Sequence, residues 1–151
     1  MLSPGDPAPT FILDDAETGE QVTDPWEQGP VVLAFFKVTC PVCQLVAPKV
    51  DALARAGARV VAIGEDPAPA LRAYAERYGQ RVQTVTEPPP YRVSTAYGVR
   101  SVPTLFLVDG DGDVQAAVPG WDREGWNALA AAAGVAPISA EGDGLPVFRP
   151  G

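Results

Sequence analysis

Apolar residues along this chain come in short runs punctuated by prolines and glycines, and the runs carry two different periods. Val31-Val32-Leu33-Ala34-Phe35-Phe36 is apolar without a break, the pattern of a strand buried on both faces of a parallel sheet. Arg59 to Ile63 reads as a second buried strand. Thr104 to Val108 and Val114 to Val118 read as two more, joined across the turn Asp109-Gly110-Asp111-Gly112-Asp113. Arg81 to Thr86 alternates, and Thr10 to Leu13 with Glu20 to Thr23 predicts an N-terminal hairpin around Thr18-Gly19. Helical spacing puts Val42, Val46, Val50 and Leu53 on one stripe of a helix over 40–56, kinked at Pro48 and stopped by Gly57. A second helix over 67–78 carries Leu71, Tyr74, Ala75 and Tyr78 on one face. After the stiff Pro88-Pro89-Pro90 loop comes a helical turn near Ser94 to Tyr97. A last helix follows an N-cap at Asp122 and buries Trp126, Leu129, Ala130 and Ala133.

This order of elements predicts an α/β domain over residues 1–134. It is a central mixed sheet flanked by helices on both faces, with an N-terminal β-hairpin. Residues 135–151 form a proline-containing tail without periodicity. Acidic residues outnumber basic ones 19 to 11, a net charge of −8, which argues against nucleic acid and against an anionic membrane surface. No stretch reaches the roughly 18 apolar residues of a membrane span. Met1 to Pro7 lacks the basic region and apolar core of a secretory signal. A cytoplasmic monomer is therefore expected, or an extracytoplasmic one if a signal segment has been removed.

The chemistry is bounded by two cysteines and no histidine. That excludes a Ser-His-Asp triad, a Cys-His pair and a His-ligated zinc site, and two thiols alone cannot complete a tetrahedral metal shell. No Gly-rich phosphate loop is present, and no cofactor or metal is expected. Asp109, Asp111 and Asp113 begin like a calcium loop, but Val114 and Gly120 stand where that loop needs a glycine and an acid, so a hairpin turn is the better reading. What remains is Cys40-Pro41-Val42-Cys43, placed after a buried strand and at the start of a helix. Unpaired N–H groups and the positive end of the helix dipole stabilise a thiolate there. Three-residue spacing brings the second sulfur within reach of a disulfide, so thiol–disulfide exchange is expected, with Cys40 attacking and Cys43 resolving.

These residues resemble the thioredoxin superfamily. The likeness runs from Val31–Phe36 through Cys40-Pro41-Val42-Cys43 and Ala47-Pro48 to Ser101-Val102-Pro103-Thr104. It implies a thioredoxin-like fold and a cis-proline at Pro103 facing the cysteines. It also implies that the backbone at Val102 pairs with a substrate peptide, with Pro41 and Thr39 beside it. Gly5 to Phe11 and Tyr97 to Asp109 are similar to the TlpA/ResA-like and redoxin (alkyl hydroperoxide reductase/thiol-specific antioxidant) branch. The 59 residues between Cys43 and Pro103 leave room for that branch's αβ insertion, here about Asp66 to Pro90.

Three positions depart from the family pattern. Thr39 replaces the usual tryptophan, Ala34 the buried acid of thioredoxins, and Val46 the glutamate of ResA-like proteins. Proton transfer at Cys43 thus lacks its usual carboxylate. Glu65, at a neighbouring strand's carboxyl end, is a candidate substitute, and Lys37 is a candidate for favouring the Cys40 thiolate. The expected activity is reduction of disulfides in protein substrates, with a thiol reductant or oxidant recycling the pair. A peroxiredoxin-like peroxidase with Cys43 as the peroxidatic residue is one alternative. A non-catalytic binding module with a stable disulfide is the other.

Overall fold

The computed structural model describes residues 1–151. In chain order it contains β1 (Ile12–Asp15), β2 (Gln21–Thr23), a 3-10 turn (Pro25–Gln28), β3 (Val31–Phe36), α1 (Pro41–Arg55), β4 (Val60–Gly64) and α2 (Ala68–Tyr78). There follow β5 (Gln83–Thr86), α3 (Arg92–Ala96), β6 (Thr104–Val108), β7 (Val114–Pro119), β8 (Trp121–Asp122), α4 (Arg123–Ala132) and β9 (Phe148–Arg149). Seven strands form one sheet in the order β2-β1-β5-β4-β3-β6-β7, and β8 and β9 pair separately. β3, β4 and β5 run parallel, whereas β1, β6 and β7 are added in antiparallel pairings.

Strand β3 is an interior strand between β4 and β6, and every one of its six residues is buried. Its side chains alternate across the sheet, as a two-residue period demands. Val32, Ala34 and Phe36 join the core beneath α1, α2 and α4, together with Val46, Leu53, Leu71, Trp126 and Leu129. Val31, Leu33 and Phe35 face a second core built from Phe11, Trp26, Tyr97 and Phe106. Helices therefore lie on both faces, but unequally. The three longer ones share one face, while α3, the 3-10 turn and the N-terminal segment cover the other.

Local polar bonds shift several element ends from the positions that apolar pattern alone suggests. β1 starts at Ile12, because the Phe11 amide donates to Asp24 Oδ1 at 2.9 Å instead of joining a ladder. β5 starts at Gln83, because the Arg81 amide is taken by Asp51 Oδ1. α3 starts at Arg92, and buried Glu87 accepts both the amide and the hydroxyl of Ser94. Asp122 does precede α4, but its side chain makes no capping bond, and its backbone is paired with Phe148.

The tail is tied to this body at several points. Asn127 Oδ1 accepts from the amides of Ile138 and Ser139, and its Nδ2 donates to the Ser139 carbonyl. Asp143 pairs with Lys49 of α1 and Arg123 of α4, each at 3.1 Å. The Trp121 indole donates to the Pro146 carbonyl at 2.7 Å. Beyond Pro146 the anchoring loosens, and Val147 and Phe148 are exposed.

Gly64 ends β4 where α2 crosses the sheet, and a Cβ there would fall 2.4 Å from Leu71 Cδ2 and 3.1 Å from Phe36 Cζ. Both neighbours are packed in the core, so Gly64→Ala should overpack it and cost about 1–3 kcal/mol. Urea denaturation should show a lower midpoint at unchanged slope.

Candidate active site

The turn between β3 and α1 is fixed before the helix begins. The Val38 amide donates to Asp66 Oδ2 at 2.9 Å, and Gln44 Nε2 donates to the Val38 carbonyl at 2.8 Å. Cys40 then takes the N-cap position with an extended backbone, and its sulfur accepts the Cys43 amide at 3.1 Å. One of the unpaired donors of the helix start is thus satisfied by sulfur in place of the usual oxygen. Pro41 occupies the first helical position, where no N–H is required. Helix α1 runs unbroken through Pro48 to Arg55.

The two thiols differ in surroundings. Cys43 is buried against the α1–α4 core, whereas Cys40 is partly exposed. The Cys40 thiol is lowered from 9.0 to about 6, chiefly by a hydrogen bond from the Cys43 side chain. The backbone amides of Cys43 and Val42 and the charge of Lys37 add to this, against the cost of partial burial. Burial pushes the Cys43 thiol up, and the hydrogen bond to Cys40 pushes it further. At neutral pH the pair is therefore one thiolate resting on one thiol.

The second wall of the site is the loop before β6, where the Val102–Pro103 peptide is cis. As a thiol, Cys40 donates to the Val102 carbonyl at 3.3 Å. The Pro103 carbonyl accepts from the Gly120 amide, and the Gly120 carbonyl from the Trp126 indole, so this loop is tied into the body through the β7–β8 turn. Cys40, Cys43, Val102 and Pro103 thus converge at one end of the sheet, with Pro41 and Thr39 exposed beside them. Lys37 and Glu65 meet each other in an ion pair at 3.3 Å. They line a cleft of about 90 Å³ together with Val99 to Val102. Ala34 and Val46, which replace the family's acids, are fully buried among apolar side chains.

Sequence spacing did not bring Tyr74 or the tail to this place. Tyr74 lies in the same core cluster as Cys43, its ring 5.0 Å from that of Phe36, and its buried hydroxyl has no hydrogen-bond partner. Burial raises that phenol's pKa, and the charges of Cys43 and Cys40 raise it further. The helical period gave Tyr74 a buried face but not its neighbour. Residue 151 lies against the Val102 carbonyl, a contact that no motif announces.

Against known proteins, residues 4–117 match the AhpC/TSA family. A thiol-disulfide oxidoreductase ResA from Geobacillus thermodenitrificans is 30% identical, over 77% of this chain and 69% of its own. A thio-disulfide isomerase from Thermus thermophilus superposes with a TM-score of 0.72 at 27% identity, covering 89% of this chain and 99% of that one. A secreted Mycobacterium tuberculosis disulfide oxidoreductase, homologous to DsbE, shares the fold with a TM-score of 0.63 at 20% identity, covering 72% and 81%.

These relatives overturn the cytoplasmic expectation. The Mycobacterium tuberculosis disulfide oxidoreductase that shares this fold is a secreted protein, and disulfides form and persist in oxidising compartments. No helix is long and apolar enough to cross a membrane. With its cysteine pair at the head of α1 and relatives of this kind, the chain belongs to the AhpC/TSA family and is a thiol-disulfide oxidoreductase of its ResA-like branch.

Proposed function

We propose that the reduced pair reduces disulfides in protein substrates, with Cys40 as nucleophile and Cys43 as resolving thiol. The observation that carries this reading is the asymmetry of the pair: Cys40 is partly exposed at the helix N-cap, where its surroundings lower its pKa, and Cys43 is buried, which raises its own. The Cys40 thiolate attacks one sulfur of the substrate disulfide and releases the other as a thiolate that takes up a proton. Cys43 then loses its proton and attacks Cys40, releasing the second substrate thiol and leaving a Cys40–Cys43 disulfide. The substrate gains two electrons and the pair loses two, and an external dithiol, or two thiols in turn, restores it and leaves as a disulfide.

The step that needs help is deprotonation of Cys43. Part of what holds its proton is the hydrogen bond and charge of Cys40. Both disappear when Cys40 enters the mixed disulfide, so resolution is favoured by the first step itself. Lys37 acts in this reading as the thiolate-favouring cation. Glu65 acts as its tether, replacing the proton-transfer role considered from sequence. Val102 offers the backbone edge for an extended substrate segment, with Pro103, Pro41 and Thr39 shaping the approach.

The burial of Cys43 opposes the peroxidase alternative, since a peroxidatic sulfur must be an accessible thiolate.

Cys43→Ser should accumulate a stable mixed disulfide on Cys40 with a protein disulfide, and Cys40→Ser should form none; mass spectrometry distinguishes the two. Sulfenic acid on Cys43 of the Cys40→Ser variant after peroxide, with no mixed disulfide in either variant, would sink the reading.

The sign of the pH effect follows from the lowered Cys40 value. Its reactive form is the thiolate, so alkylation by iodoacetamide should rise with pH through a midpoint at about 6 and then level off. Lys37→Met should move that midpoint upward, and Glu65→Gln should leave it in place or lower it. A wild-type midpoint at the ordinary thiol value would contradict the assignment.

A further inference from the structure

The last five residues lie on the edge that the proposed function gives to substrate. β9 pairs antiparallel with β8, with Asp122 opposite Phe148 and Trp121 opposite Arg149. The strand then crosses the β7–β8 turn so closely that a Cβ at Gly120 would fall 2.9 Å from the Arg149 carbonyl oxygen and 3.0 Å from the Gly151 nitrogen. It reaches the loop before β6 at Gly151, where a Cβ would fall 2.5 Å from the Val102 carbonyl oxygen and 3.1 Å from Ser101 Oγ. That carbonyl is the one that accepts the Cys40 thiol. A segment in extended conformation thus lies against the backbone atom where an extended substrate would pair.

The way this segment is held makes it replaceable. Upstream, Ser139 is buried and Asp143 is paired with two cations. Downstream of Pro146, Val147 is 63% exposed and Phe148 57%, so little apolar burial opposes release. A strand held by a few backbone bonds at an exposed edge opens more readily than the core. Cys40 itself is only partly buried with the segment in place, so a small disulfide need not displace the segment as an extended peptide must.

We infer that residues 147–151 are a tethered strap on the substrate edge, displaced by extended protein segments and left in place by small disulfides. The strap is a specificity element. It sets a barrier for substrates that need the Val102 backbone and none for those that need only the Cys40 sulfur. The inference rests on the proposed role of Val102 and Cys40.

Gly151→Val tests it, because a side chain at 151 would meet the Val102 carbonyl and Ser101 Oγ. The variant should react several-fold faster than wild type with a peptide disulfide, and at the wild-type rate with 2-hydroxyethyl disulfide. Hydrogen exchange gives a second readout. In Cys43→Ser, a peptide trapped on Cys40 should deprotect the Arg123 amide, which donates to the Val147 carbonyl, and the bonded strap amides of the β8–β9 pair, whereas a mercaptoethanol adduct should leave them as they were. Equal peptide rates in the two proteins, or strap amides unchanged by the trapped peptide, would overturn the strap. Failure of Cys40 to react with either disulfide would instead overturn the proposed function beneath it.

Discussion

Everything at this site depends on a sulfur that caps its own helix. Because Cys40 sits at the N-cap, its Sγ takes the place of a Ser or Asp oxygen and receives the Cys43 amide. The same geometry puts the Cys43 side chain behind it as a second donor. Charge on Cys40 is thus compensated by groups the helix would present anyway, without a dedicated basic residue in contact. This capping in turn requires a rigid entry to the helix. Strand β3 supplies one side of it, and Asp66 and Gln44, gripping Val38 from opposite ends, supply the other.

The fold was legible in the sequence wherever burial alone dictates structure. The run Val31–Phe36 and the run Thr104–Val108 became strands with those ends, because a segment packed on both faces leaves no polar group to compete for its backbone. Ends set by side-chain hydrogen bonds, at Phe11, Arg81 and Ser94, were displaced by two or so residues. The β8–β9 pair escaped entirely. Each strand has two residues, and Phe148 and Arg149 are exposed, so no alternation marks them.

The candidate site was legible in its cysteines and in the Val102-Pro103 loop, because their chemistry and spacing are local. Relations between distant residues were not. Lys37 and Glu65 looked like independent candidates, yet the parallel register that sets Phe36 against Gly64 makes the next residue of each strand a neighbour of the other. Had that register been readable, the ion pair would have followed. Tyr74 shows the same limit, since helical periodicity gives a buried face and not which sulfur lies beneath it.

Asp143 ties three parts of the chain to one carboxylate. Its carboxylate accepts from the Ser139 hydroxyl in the tail, from Lys49 on the helix that carries the cysteines, and from Arg123 at the head of α4. The Ser139 hydroxyl first, then the Leu145 amide and Lys49, hold its carboxyl well below the ordinary carboxylate range. Contributions from such a group are present above the unfolded carboxyl value and are lost only as pH falls through the lower folded one. Mild acidification therefore leaves this clasp closed. At mildly acidic pH the active-site helix, the head of α4 and the tail remain joined through this one carboxylate.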